Sequence, residues 1–314
     1  NSLAGEYLGE WKNEKMLKAA ASMYGVDPKG EMWKLHASFV GKYAEQDAAV
    51  TLRLWDRLRA DIDKDEVNSI FELETSLIPL MLDMKTKGVR VDVDKAHEVQ
   101  KELKRREDVL LKEVKEETGV VVEPWAAASI AKAFDALGLN YNRTEKSNAP
   151  AFTKAFLANH THPVAQKIVR LREFNKANTT FIETILEHSH NGRIHCDFHP
   201  LRSDEGGTVT GRFSSSNPNL QQIPARDPEI KKMIRGLFIP EDGEKWGSFD
   251  YASQEPRWLA HYCATLTGAR RDPQIDDVVR MYHEGNADFH QMVADMAGVS
   301  RKEAKTVNLG IMYG

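Results

Sequence analysis

The residues best placed to do chemistry lie between Thr208 and Arg257. The run Trp246 to Phe249 reads as a short strand delivering Asp250 at its end, followed by Tyr251 and a helix carrying Glu255 and Arg257. A carboxylate at a strand end, beside a loop rich in side-chain donors, can hold a divalent cation over an anionic polymer. The loop offers Thr208, Thr210, Arg212, Ser214, Ser215, Asn217, Asn219, Gln221 and Gln222, with turns supplied by Gly206, Gly207 and Gly211. It lacks apolar periodicity, so it is no core element. Every Watson–Crick pair presents an acceptor at purine N3 and pyrimidine O2 in the minor groove. Arg and Gln donors could therefore check pair geometry without reading sequence. The same composition also fits a polar surface loop, and the residues alone leave the two readings level.

A second constellation spans 282–313. Asn286 or Asp288 opens a helix that contains His290 and closes near Gly298. Ser300 caps the next helix, and Glu303 completes an S-x-x-E capping box. On that helix Arg301, Lys305, Leu309 and Tyr313 recur every fourth residue, making one stripe of two cations, an apolar residue and an aromatic. The stripe fits a nucleoside triphosphate, its phosphates at the helix N-terminus where the dipole favours anions. A lone R-x-x-x-K pair is common on surfaces, so spacing alone does not decide.

Tyr43 and Asp47 share a helix face and could orient a water and hold a metal. Spacing alone favours a core tyrosine beside a solvated carboxylate. His188, His190, His195, His199 and Cys196 match no compact zinc pattern. Gly192 to Phe198 reads instead as a turn into a strand with alternating faces.

The elements that position these groups are mostly helical. Residues 1–62 carry helical apolar spacing, punctuated at Gly25 and at Pro28 to Gly30. In residues 63–122, Ile70, Phe71, Leu73, Leu77, Ile78, Leu80 and Met81 are expected to bury one helix, kinked at Pro79. Residues 88–92 are extended, and Asp94 is expected to cap a long charged helix, most simply a solvated one. Its Lys101, Lys104, Arg105 and Arg106 could also face phosphates. A helix ends at Gly138, an exposed loop is expected over 140–152, and a further helix runs from Pro163 to Leu186. Arg170, Arg172, Lys176 and Thr180 dot that helix, which suits phosphate contact or a plain surface stripe.

Composition bounds the rest. The chain has 314 residues, 41% hydrophobic and 29% charged, enough for two or three domains of a soluble globular protein. No apolar run reaches the roughly 18 residues of a membrane helix. Cys196 and Cys263 form no CxxC pair, which argues against a disulfide framework and fits a reducing compartment. With a net charge of -4, any nucleic-acid surface must be locally positive. The sequence opens at Asn1 without an initiator methionine and stops directly after a helical run, so it reads as a piece of something longer.

Together these segments resemble family A DNA polymerases, most closely their phage-like branch. TGRFSSSNPNLQQIP at 210–224 is similar to the family's TGR-[LF]-SS-x-x-PNLQ-x-IP segment. FDYASQEPR at 249–257 resembles motif A, and RKEAKTVNLGIMYG at 301–314 resembles motif B. The triplet from Asp288 to His290 resembles the fingers' D-x-H, and Tyr43 to Asp47 resembles the third motif of a 3′–5′ exonuclease. The implied fold is α/β (α+β), mostly helical: a partial right hand with the last helices of an exonuclease domain. The implied divisions are 1–62 exonuclease tail, 63–190 thumb and connecting helices, 191–267 first part of the palm, and 268–314 first part of the fingers.

The resemblance implies template-directed DNA synthesis in phage replication, with primer–template DNA and dNTPs as partners and two Mg²⁺ ions as cofactors. It implies that Asp250 and the Tyr251 carbonyl bind metal. Ser253, Glu255, His290, Arg301, Lys305, Leu309 and Tyr313 line the nucleotide, and Lys305 protonates the leaving pyrophosphate. Arg212, Asn219, Gln221, Gln222, Lys176 and Thr180 contact DNA. The implied compartment is the host cytoplasm.

Ala252 and Ser253 stand where Ser and Gln are usual, and Leu309 where Phe or Tyr is usual. Motif C, with the second metal-binding carboxylate, is absent from this sequence. The 314-residue chain is therefore expected to be inactive alone, or completed by a second chain. The competing readings are a catalytically inactive DNA-binding fragment, a nuclease resting on Tyr43 and Asp47, and a single-subunit RNA polymerase, against which Glu255 argues.

Overall fold

The computed structural model describes every residue except Asn1, Asp204, Glu205, Ala269, Arg270, Asn286, Ala287 and Gly314. The alternative helix start at Asn286 therefore lies outside the described residues. The chain divides into two units, Asn1–Asp242 and Gly243–Gly314.

The first unit begins with α1 (Ser2–Leu8), α2 (Lys15–Tyr24) and α3 (Ala37–Lys64). Leu17, Ala20, Ala21 and Leu35 are buried together, with Phe39, Val40 and Tyr43 of α3 packed against them. α4 (Asn68–Lys87) follows. Contrary to the sequence expectation, α4 buries none of its residues, and Ile70, Leu73 and Leu80 are more than half exposed. Its apolar residues spread over half the helix circumference, and α3 meets only part of that arc, through Trp55 against Phe71 at 5.4 Å between ring centroids.

β1 (Val89–Arg90) leads to α5 (Val93–Thr118). Gly88 has φ +64, and a Cβ there would lie 2.8 Å from the Ile194 carbonyl oxygen, so the close approach of β1 requires glycine. The cap of α5 is Asp92 rather than Asp94: its Oδ1 accepts from the Lys95 amide at 3.0 Å. Asp94 falls inside the first turn, where its charge suits the helix dipole.

Next come α6 (Ala127–Ala136), β2 (Asn142–Arg143), β3 (Pro150–Ala151), α7 (Lys154–Asn159) and α8 (Pro163–Lys176). The segment expected as an exposed loop is a hairpin of β2 and β3, held because Phe152 behind it is buried against Phe134 at 4.9 Å. α8 continues through a π-helical turn, Ala177–Ile182, into α9 (Glu183–Glu187).

The remaining elements of this unit are β4 (Ser189–His190), β5 (Arg193–Ile194), β6 (Asp197–His199), β7 (Ser214–Ser216) and α10 (Pro228–Arg235). The strand expected over 192–198 is broken in two. β5 sits between β1 and β4, and β6 pairs with β7, all antiparallel. One core joins Val99 and Leu103 of α5 to Phe174, Ile182, Ile194 and Ile234. A second joins Val114 to Ile130, Phe134, Leu157, Ile168 and Leu171.

The second unit holds α11 (Gln254–Thr265), α12 (Ile275–His283), α13 (Phe289–Ala297) and α14 (Arg301–Tyr313). The strand expected at 246–249 does not form. A strand needs a partner for its backbone groups, and among the described residues none pairs here; Phe249 is 98% exposed. No helix among the described residues is long and apolar enough to cross a membrane.

Candidate active site

In the second unit, local rules place the polar side chains. Asp288 caps α13 by accepting from the Gln291 amide at 3.0 Å, and its other oxygen accepts from Arg301 Nε at 2.8 Å. The Arg301 contact comes first among the causes that lower the Asp288 pKa, followed by the capped amide. Ser300 and Glu303 form the expected capping box: the Ser300 amide donates to Glu303 Oε2 at 2.9 Å, and the Glu303 amide donates to Ser300 Oγ at 3.3 Å. Arg301, Lys305 and Tyr313 are exposed along α14, and Leu309 is half-buried. His290 and Asn308 are buried between α13 and α14, with Asn308 Nδ2 hydrogen-bonded to His290 Nδ1 at 3.0 Å. Burial lowers the His290 pKa, and the nearby positive charges of Arg301 and Lys305 add to that.

The far end of α14 meets α11. Tyr313 donates its hydroxyl to Glu255 Oε1 at 2.5 Å. Arg257 lies over the Tyr282 ring, 4.8 Å from its centroid, which ties α11 to α12. The structure thus gathers His290, Arg301, Lys305, Glu255 and Tyr313 on connected helices. Asn308 escaped sequence reasoning; its signal was a polar residue on the face of α14 that packs against α13.

Asp250 and Tyr251 are exposed in the segment before α11. Ser253 takes a left-handed backbone, φ 53, at the start of α11. The described residues bring no group of three His, Cys, Asp or Glu side chains together.

In the first unit, the donor loop is held by its own hydrogen bonds. Gly207 has φ +96, and a Cβ there would meet the Leu201 carbonyl oxygen at 2.0 Å, so only glycine fits. Asn219 Oδ1 accepts from Ser215 Oγ and from the Gln221 amide, both at 3.1 Å. Gln221 Nε2 donates to the Phe213 carbonyl at 3.3 Å. Arg212, Asn219 and Thr180 are exposed.

An open groove beside this loop is lined by Lys176, Gln221 and Gln222 together with Lys154, Arg226, Phe181, Glu173 and Asp227, and Lys154 pairs with Glu173 at 3.2 Å. Lys154 and Arg226 were missed because they are single cations in different segments that only folding brings together. Arg170 and Arg172 are engaged within the protein. Arg170 pairs with Asp227 at 2.7 Å and with Glu173 and Glu229, while Arg172 donates to the carbonyls of Pro124 and Phe152 at 2.6 and 2.7 Å. Arg105 and Arg106 of α5 pair with Glu102.

Tyr43 and Asp47 lie together on α3, where Lys12 Nζ is 2.5 Å from Asp47 Oδ1 and 5.8 Å from the Tyr43 ring centroid. The hydrogen bond to Asp47 raises the Lys12 pKa against the opposing effect of burial. The histidines weighed for zinc are engaged separately: His188 with the Thr184 carbonyl, His195 with the Lys85 carbonyl and His199 with Ser216 Oγ. Cys196 and Cys263 are free thiols.

A family model described as DNA polymerase family A matches residues 93–314. A DNA-directed DNA polymerase of Pseudomonas phage M6 is 39% identical over 317 residues, covering 96% of this chain and 47% of that protein. DNA polymerase DpoZ of Vibrio phage phiVC8 is 31% identical over 341 residues, covering 99% of this chain and 52% of that protein. In fold, the chain is similar to the POL domain of Pol1 from M. smegmatis, solved in complex with DNA primer-template and dNTP, with a TM-score of 0.72 at 20% identity. That match covers 99% of this chain and 53% of the other. The chain spans about half the length of these phage relatives. With more than half of its residues matched by the family model, the chain belongs to DNA polymerase family A.

Proposed function

We propose that this chain carries the nucleotide-binding helices and part of the duplex-binding surface of a phage-type DNA polymerase. The observation that carries the reading is the arrangement on α14: two exposed cations at one end and the Tyr313–Glu255 contact at the other, with buried His290 alongside. Arg301 and Lys305 would neutralise the triphosphate of an incoming dNTP. Glu255, held by Tyr313, would lie under the sugar and exclude a 2′-hydroxyl. The primer 3′-hydroxyl would attack the α-phosphate, and Lys305 would give a proton to the departing pyrophosphate.

Asp250 and the Tyr251 carbonyl are the groups in this chain that would contribute to holding Mg²⁺, which would supply charge neutralisation at the phosphates. The exonuclease, thumb, palm and fingers assignments above belong to the same reading, as does an exonuclease role for Tyr43 and Asp47. Primer–template DNA would run along the groove of Lys176, Gln221, Gln222, Lys154 and Arg226, with Arg212, Asn219 and Thr180 beside it.

A second reading takes the chain as a DNA-binding fragment or as one subunit of a split polymerase. In it the chain binds DNA but does not catalyse until another segment or chain adds a carboxylate. Primer extension with Mg²⁺ and four dNTPs tests the assignment of Asp250. The 314-residue chain alone is expected to give no extension. A longer polymerase containing it is expected to extend and to lose extension with Asp250→Ala. Retained extension in that variant would refute the assignment of Asp250.

A further inference from the structure

His290 is 5% exposed and Asn308 is 4% exposed, and they meet where α13 packs on α14. Asn308 Nδ2 lies 3.0 Å from His290 Nδ1. An amide NH₂ group only donates, so Nδ1 must offer its lone pair, and the ring proton belongs on Nε2. We propose that Asn308 is a positioning residue that holds His290 as the neutral Nε2–H imidazole. A second proton would set an Nδ1–H against the amide N–H in a buried contact, which burial makes costly.

The charges facing the ring are accounted for. Arg301 and Lys305 of α14 oppose a positive imidazole, while Asp288, at the start of α13, and Glu255 of α11 favour one. The Asp288 carboxylate is itself paired with Arg301 at 2.8 Å. Burial and the two cations prevail, in the same direction as the geometry.

The consequence rests on the nucleotide reading above. His290 would give a phosphate a hydrogen-bond donor of fixed orientation and no charge, leaving Arg301 and Lys305 as the cations. Its contribution to binding would then stay constant across neutral pH instead of switching on as the ring protonates.

The test is long-range ¹H–¹⁵N NMR of the histidine rings in the whole chain between about pH 5 and 8, with His290 assigned by its loss in His290→Gln. The expected result is an unprotonated Nδ1 and a protonated Nε2 at neutral pH. Asn308→Asp should move the proton to Nδ1, because a carboxylate can only accept there, and should leave the ring charged at neutral pH. Asn308→Leu, which removes the donor but keeps an apolar filler, should lose the fixed Nε2–H preference, whereas a packing role alone would leave the tautomer unchanged in that variant. A wild-type ring protonated at Nδ1, or charged at neutral pH, would overturn the proposal even if the variants fail to fold. Adding dATP with Mg²⁺ tests the other half. Unchanged His290 signals would overturn the nucleotide reading and leave the tautomer assignment standing.

Discussion

Tyr313 donates a hydrogen bond to Glu255 across 2.5 Å, tying the last turn of α14 to the first turn of α11. Both groups are partly solvated, so the contact is worth little to stability; Tyr313→Phe is expected to cost under about 1 kcal/mol by chemical denaturation. Its value is geometric. In an extending polymerase containing this chain, Glu255→Ala is expected to raise ribonucleotide use relative to deoxynucleotide by about tenfold or more. Single-nucleotide incorporation kinetics measure this, and unchanged selectivity would remove Glu255 from the sugar site.

Leu309 occupies the place on the α14 stripe between the cations and Tyr313. An aromatic ring there would add a stacking contact worth about 1 kcal/mol, or roughly fivefold in rate or selectivity. Leu309→Phe should therefore alter dideoxynucleotide use and incorporation rate. Steady incorporation of both nucleotides at wild-type ratios would show that the residue does not meet the nucleotide.

Acid should loosen the first unit. The pKa of Asp227 is lowered first by the Ile230 amide that it caps and then by Arg170, and that of Glu229 first by Arg106. Hydrogen bonds from Arg105 and Arg106 bring Glu102 from 4.5 down to about 2. These carboxylates bind protons more weakly when folded. Their stabilisation is present above the unfolded value and fades as pH falls from 4.5 towards about 2. Arg170→Met leaves Asp227 and Glu229 short of a partner and is expected to cost about 1–3 kcal/mol. Urea unfolding across that pH range should show a shallower acid dependence in the variant.

Gly207→Ala tests whether the donor loop is rigidly built. With φ +96 and a carbonyl oxygen 2.0 Å from the added carbon, the backbone must move. The expected loss exceeds about 1 kcal/mol, read as a lower unfolding midpoint. A wild-type midpoint would mean that the loop accommodates a side chain.

What the sequence made legible was local. The capping box of Ser300 and Glu303, the Asp288 cap and the α14 stripe depend on spacings within a few turns, and each formed as read. What it hid depends on partners. The run 246–249 has strand-like composition, yet it meets no neighbouring strand among the described residues and stays exposed. The apolar arc of α4 marks a surface able to pack, while burial depends on what lies opposite, and α3 covers only part of it. Asp92 and Asp94 both suit a cap, and the choice fell where the extended β1 ends. Lys154 and Arg226 joined Lys176 only once α7, α8 and the loop before α10 had packed.

The most direct test of the account is primer–template binding by the 314-residue chain, measured by fluorescence anisotropy over a salt series. If Lys176 and Arg226 lie on the phosphate backbone, replacing both by Ala should weaken binding and reduce the log–log salt slope by about one for each cation lost. Affinity and slope unchanged in the double variant would contradict the placement of duplex DNA in this groove.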